Sequence, residues 1–339
     1  MFFITLGQLE SPSNEIYGIT AYSDGMGDIL QTQCPGGVIY FNQNLVNREQ
    51  VIQWNRQMQE KARIPLFIGV DEEGGMVNRL SGNPDMGVTN QGDMAAIGAT
   101  MDTENAYLVG RELGQQMTEL GFNLDFAPVA DIRSNPENYE IGNRSYGENE
   151  EVVGTMVAAQ VQGMKEEHLI ATLKHFPGHG EVTGNTHNDL QTIPCDEDRL
   201  KSFEFEPFKQ GIAAGADVVM VSHLCVPTIT GEDTTSSMSY EIVTRLLKKE
   251  LGFKGIAMTD SCQMGSIARH IPAKDVAVQA LLAGNDMILM PENYQEAYEG
   301  IIEAVQEGTL PQGRLREACE VIICCKMKQG LMPELYQIE

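Results

Sequence analysis

Eight short apolar runs, each followed by a stretch of helical spacing, constrain this chain more than any other feature of its sequence. They fall at residues 2–6, 37–41, 66–71, 123–129, 171–176, 218–223, 255–260 and 286–290. Most are continuously apolar rather than alternating, as expected of parallel strands covered on both faces. Between them, Ala106, Val109, Leu113, Met117 and Leu120 form one helical stripe that stops at Gly121. Val153, Val157, Val161 and Met164 form a second, and Ile242, Leu246 and Leu247 precede Leu251 and a terminating Gly252. Pro272 sits near the start of a helix running to Gly284, and two more helices are predicted around 296–307 and 315–328.

Strand and helix repeated eight times predict an α/β fold, a single (β/α)8 TIM-type barrel. The alternative is an open doubly wound sheet, for which eight strands is many. A chain of 339 residues suits one barrel spanning 1–339, with no separate second domain. The segments of unclear structure, 77–100, 131–148, 177–195 and 224–238, all follow a strand. A barrel places them on its C-terminal face, where active sites are built.

Composition narrows the partners. A net charge of −25 argues against nucleic acid, which needs clustered Lys and Arg, and fits a neutral or cationic small molecule better than an anionic one. No apolar run is long enough to predict a membrane-spanning helix. The seven cysteines form no C-x-x-C pair and read as reduced core thiols, which points to a reducing compartment or to a cell that tolerates free thiols.

Polar residues at the strand ends carry the chemistry. The third strand ends in Asp71-Glu72-Glu73-Gly74-Gly75, the fifth in Lys174-His175, the sixth in Ser222-His223 and the seventh in Thr259-Asp260-Ser261. Several charges converging on one mouth are costly to desolvate without a purpose, so a site is expected there. Three of the six histidines, His175, His179 and His187, fall within the stretch 175–187. No cysteine or helical His pair accompanies them, so neither a metal nor another cofactor is predicted. Each residue also has a plainer reading. Asp71 and Asp131 fit helix N-caps after a strand, and for Asp131 that is the favoured reading. Arg79 fits a surface ion pair. His223 fits a hydrogen-bonded wall residue, His179 a structural turn residue and Met258 a core filler.

The segments Gly36-Gly-Val-Ile-Tyr-Phe41, Val70-Asp-Glu-Glu-Gly-Gly-Met-Val-Asn-Arg79, Phe126-Ala-Pro-Val-Ala-Asp131, Gly142-Asn-Arg-Ser-Tyr-Gly147, Lys174-His-Phe-Pro-Gly-His-Gly180 and Met258-Thr-Asp-Ser261 with Met264 occur in this order over nearly the whole chain. In them the sequence resembles glycoside hydrolase family 3, and within it the bacterial β-N-acetylhexosaminidase (β-N-acetylglucosaminidase) branch. The resemblance implies a retaining exo-glycosidase that releases terminal β-linked N-acetylglucosamine, with peptidoglycan recycling as the usual setting. It implies Asp260 as nucleophile and His187 as acid/base on a loop. Asp71, Arg79, Arg144, Lys174 and His175 are implied to bind sugar hydroxyls and the N-acetyl group, with His223 and Met264 as further contacts. The short leading helix usual in the family is missing before the first strand. The expected compartment is the cytoplasm, with an exported or lipid-anchored form if the native N-terminus is longer.

One departure stands out. The branch has an aspartate two residues before the acid/base histidine, and this chain has Asn185. An amide can orient the ring but cannot compensate its positive charge, so a weaker proton donor and slower hydrolysis are expected unless another carboxylate, such as Glu181 or Asp189, takes its place. The competing readings are a β-N-acetylglucosaminide phosphorylase on the same scaffold, a catalytically weak glycan-binding homologue, and an unrelated barrel enzyme using Lys174 as a Schiff-base lysine.

Overall fold

The computed structural model describes residues 1–13, 16–183, 190–231 and 234–332. Its eight main strands are β1 (Phe2–Thr5), β2 (Gly37–Tyr40), β3 (Phe67–Val70), β4 (Leu124–Asp125), β5 (Ile170–Phe176), β6 (Val218–Val221), β7 (Ile256–Thr259) and β8 (Ile288–Leu289). Each pairs in parallel with its predecessor up to β7, and β8 pairs with β1. A parallel bridge between Met258 and Met287 and the 3.1 Å bond from Thr259 N to Met287 O join β7 to β8. The sheet is thus rolled into the expected (β/α)8 barrel.

The continuous apolar character of the runs follows from this geometry. Successive residues alternate between two cores. Phe3, Ile39, Phe67, Leu124, Ile170, Val218, Ile256 and Met258 fill the barrel interior. Their neighbours Ile4, Val38, Ile68, Val70, Leu173, Val219 and Ala257 pack outward against the helices. Bulky interior rings need a small residue beside them. A Cβ on Gly37 would lie 2.6 Å from the Phe3 ring and 2.7 Å from the Phe67 carbonyl oxygen, so only glycine fits there.

The predicted helices appear as Thr103–Glu119, Glu150–Glu166, Glu241–Glu250, Ala273–Ala283, Tyr294–Glu307 and Gln312–Lys328. Asp102 and Asn149 cap the first two through their side chains, and Gly284 ends the fourth at φ +118°. Further helices form at Asp24–Thr32, Arg48–Lys61 and Glu206–Ala214. Arg48–Lys61 is polar apart from Val51, Ile52, Trp54 and Met58, too thin a signal to single out from sequence. At the N-terminal end of the barrel, the last helix tucks Ile322 and Cys325 against the interior core and buries Lys326 over the Phe67 ring, 4.7 Å from its centroid.

At the other end the loops after β3, β4, β5 and β6 gather. The loop after β3 begins with a two-stranded hairpin, Glu72–Gly74 against Val77–Asn78, turned by Gly74 and Gly75 at φ +93° and +56°.

Candidate active site

A cavity of about 360 Å³ opens at the C-terminal mouth of the barrel. Asp71, Arg79, Arg144, Lys174, His175, Asp260 and Met264 all line it, so the structure brings these sequence-predicted residues together. Ile39, Phe41, Met220, Met264, Leu289 and Met290 supply its apolar lining, and the charged groups supply the polar part. That mixture is characteristic of small-molecule sites.

The hairpin after β3 decides which acidic residue does what. Asp71 and Glu73 face the cavity. Glu72, between them, turns away and accepts from Leu80 N (2.6 Å), Ser81 N (3.2 Å) and the Ser81 hydroxyl, so it holds the hairpin. Glu73 is the hub. Its Oε1 lies 2.6 Å from Lys174 Nζ, and its two oxygens accept from Arg144 Nε and Nη2 at 2.8 and 2.9 Å. Lys174 Nζ also donates to Asp71 Oδ1 at 2.7 Å. Burial alone would push the Glu73 carboxyl up, but Arg144 and Lys174 outweigh it and hold the group below the usual carboxylate range. Burial pulls Lys174 down, and Asp71 and Glu73 more than offset it, so its pKa is raised. A Schiff-base lysine needs the opposite shift, so this environment disfavours the aldolase-type reading.

Arg144 is fully engaged. Besides Glu73 it donates Nη1 to the Glu140 carbonyl at 2.9 Å. Arg79 has no such partners among the described residues. It lines the cavity, its Nε is buried without a hydrogen-bond partner, and no ion pair reaches it among the described residues. The two arginines therefore differ. One is a fixed part of the wall, and the other offers an open guanidinium rather than the surface ion pair of its plainer reading.

Asp260 closes β7. Its backbone N–H donates to Val221 O at 2.8 Å, and its Oδ1 accepts from Ser261 N at 2.7 Å. Burial acts to raise its pKa, but the groups around it, the Ser261 N–H and the Lys174 ammonium among them, together lower it, so the carboxylate is ionised near neutrality. His223 does not line the cavity. It stands behind Asp260, with Nε2 3.1 Å from the carbonyl oxygens of both Asp260 and Ser261 and Nδ1 2.7 Å from Ser237 Oγ. Because carbonyls only accept, Nε2 carries the proton. Burial lowers the His223 pKa, in keeping with a neutral ring. The expectation of a direct ligand contact gives way here to the plainer one, a wall residue that fixes the backbone under Asp260.

Asp131, read from sequence mainly as a helix cap, caps nothing. It is fully buried and receives His175 Nδ1 at 2.7 Å, His175 N at 3.1 Å and His179 N at 2.7 Å. His179 reaches the cavity wall with Glu140, its Nε2 3.8 Å from Glu140 Oε2. Glu73, Asp131 and Glu140 are the site residues that sequence reasoning missed. Glu73 was visible in the strand-end motif, and a carboxylate two residues past Pro128-Val129 was visible for Asp131, but their partners were not.

Asn185 and His187 lie outside the described residues, as does Asp189. Glu181 lines a separate surface depression with Pro194, Cys195, Asp196 and Arg199 rather than the main cavity. On either side, Asn135 Nδ2 donates to Glu181 O at 3.1 Å, and Ile193 N donates to Cys225 O at 2.8 Å.

Residues 4–324 match the family described as glycosyl hydrolase family 3 N terminal domain. A beta-hexosaminidase from Stenotrophomonas maltophilia (strain K279a) is 37% identical over 285 residues, covering 81% of this chain and 82% of the relative. Beta-hexosaminidase A from Pseudoalteromonas piscicida is 30% identical over 95% of this chain and 58% of its own length. The solved structure of a family 3 beta-N-acetylglucosaminidase from Paenibacillus sp. str. FPU-7 superposes with a TM-score of 0.89 at 34% identity, over 97% of this chain and 61% of that one. The chain thus spans about three fifths of the length of two of these relatives.

Proposed function

The chain belongs to glycosyl hydrolase family 3, and from that premise we propose that it is a retaining exo-glycosidase releasing terminal β-linked N-acetylglucosamine or a related N-acetylhexosamine. The observation that carries this reading is Asp260. It is an ionised carboxylate at the rigid end of a barrel strand, in one cavity with Asp71, Lys174, His175 and an open Arg79. A retaining glycosidase needs such a group on one face of the anomeric carbon and a proton donor near the leaving oxygen. Asp260 attacks the anomeric carbon and displaces the aglycone, forming a covalent glycosyl-enzyme that water then hydrolyses. His187 gives its proton to the leaving oxygen and then takes one from water, with Asn185 orienting it less strongly than an aspartate would.

The ion-pair network supports ring binding. Lys174 and Asp71 together present a donor and an acceptor to vicinal hydroxyls, and Arg79 offers a forked donor for the acetamide carbonyl or a hydroxyl. The methionines and Leu289 cover the apolar face of the sugar.

The test is a panel of 4-nitrophenyl β-glycosides, comparing N-acetylglucosaminide with glucoside and xyloside, with and without phosphate. The reading predicts preferred release from the N-acetylglucosaminide and free sugar as product in both conditions. Sugar 1-phosphate as the main product would make the protein a phosphorylase, binding without turnover would make it a glycan-binding homologue, and preference for the glucoside would overturn the substrate assignment.

A further inference from the structure

Asp131 has an arrangement that a merely structural carboxylate does not need. Its Oδ1 accepts the His179 N–H at 2.7 Å, its Oδ2 meets His175 Nδ1 at 2.7 Å, and both oxygens lie 3.1 Å from His175 N. Among the described residues no guanidinium or ammonium pairs with it, and the side chain is fully buried. The His175 ring is flanked by His179, edge-to-face at 5.6 Å between centroids. His175 lines the cavity, and no described residue hydrogen-bonds its Nε2.

An ionised carboxylate can only accept hydrogen bonds, so the Nδ1 facing it must carry the proton. A neutral imidazole then has its lone pair on Nε2. We propose that Asp131 is a positioning residue that holds His175 in the Nδ1–H tautomer and so makes Nε2 a hydrogen-bond acceptor for one hydroxyl of the bound sugar. The identity of the sugar rests on the function proposed above; the tautomer does not. Burial would raise the Asp131 carboxyl, but it is held below the usual carboxylate range, and the hydrogen bonds it receives from the His175 ring and backbone act in that direction. The other charged or titratable groups lining the same cavity are Lys174, Asp71, Glu73, Arg79, Glu140, Arg144, His179 and Asp260.

The isosteric amide separates this role from packing. In Asp131→Asn one oxygen remains for the two backbone N–H groups. The NH2 then occupies the place of Oδ2 and faces Nδ1. The imidazole proton must move to Nε2, which changes from acceptor to donor toward the sugar.

The experiment has two arms on the full chain. In protein labelled with 15N-histidine, with the His175 signals identified by their loss in His175→Asn, wild type is expected to carry its ring proton on Nδ1 and Asp131→Asn on Nε2. A wild-type proton on Nε2 overturns the proposal, even if the variant does not fold. In the second arm, kcat/KM is measured for a β-N-acetylglucosaminide and its 3-, 4- and 6-deoxyfluoro derivatives, since fluorine cannot donate a hydrogen bond. Asp131→Asn is expected to lose about 10-fold or more on the parent sugar. One derivative should be penalised in wild type and markedly less in the variant. Equal penalties in both proteins at every position contradict the proposal. If wild type turns over no N-acetylglucosaminide, the substrate assignment fails while the tautomer result stands.

Discussion

Lys174 Nζ lies 2.6 Å from Glu73 Oε1, and each side chain is only 2% exposed. A bare ammonium in such surroundings is costly, and two carboxylates, Asp71 and Glu73, hold it charged. The same Glu73 fixes Arg144. One residue from a hairpin thus aligns a β5 side chain with a guanidinium from the loop after β4.

Glu73→Gln should therefore damage both stability and activity. Removing one partner of a buried pair leaves cations uncompensated, at a cost of about 3–5 kcal/mol. Urea unfolding at neutral pH checks this, and kcat/KM should fall along with it. A stability change under about 1 kcal/mol would show that Glu73 is not the hub.

His223 supports Asp260 from behind through two backbone carbonyls. His223→Ala should lower kcat more than it raises KM, because the ring does not line the cavity but sets the placement of Asp260, the proposed nucleophile. A pure KM effect would instead mean that the imidazole touches the substrate.

Lys326 gives a stability prediction away from the site. Burial lowers its pKa from 10.5 to about 7, and its Nζ donates to Gly36 O at 2.9 Å. Between about pH 7 and 10.5 the unfolded chain binds the proton and the folded chain releases it. Stability attributable to this lysine therefore rises with pH across that window and no longer changes below it. Unfolding free energies at pH 7 and pH 9 should show the rise in wild type and a smaller one in Lys326→Met. Identical slopes in the two proteins contradict the assignment.

Asn185→Asp restores a carboxylate two residues before His187 and should raise kcat for hydrolysis, by better supporting the protonated imidazole. An unchanged kcat would mean that imidazole charge compensation does not limit the rate.

The barrel was legible because its strands are apolar on both faces; alternation into two cores looks, in sequence, like an unbroken run. Asp71, Lys174 and Asp260 were legible because charges at strand ends have few other reasons to be there. The division of labour between Glu72 and Glu73 was not, because adjacent glutamates are distinguished only by the hairpin that turns one inward. Asp131 looked like a cap because a carboxylate after a strand is the usual start of a helix, and its true partner is a histidine forty-four positions away. His223 sits at a strand end like His175, but only the fold tells which ring faces the cavity and which faces the chain behind it.

Asp260 is the side chain expected to form the glycosyl-enzyme bond. Incubation with a fluorinated N-acetylglucosaminyl fluoride that slows deglycosylation, followed by peptide mass spectrometry, tests it most directly. A single sugar-bearing peptide is expected, with the label on Asp260 and none in Asp260→Asn. A label on another side chain would contradict it, as would release of the α-anomer from a β-glycoside as the first product.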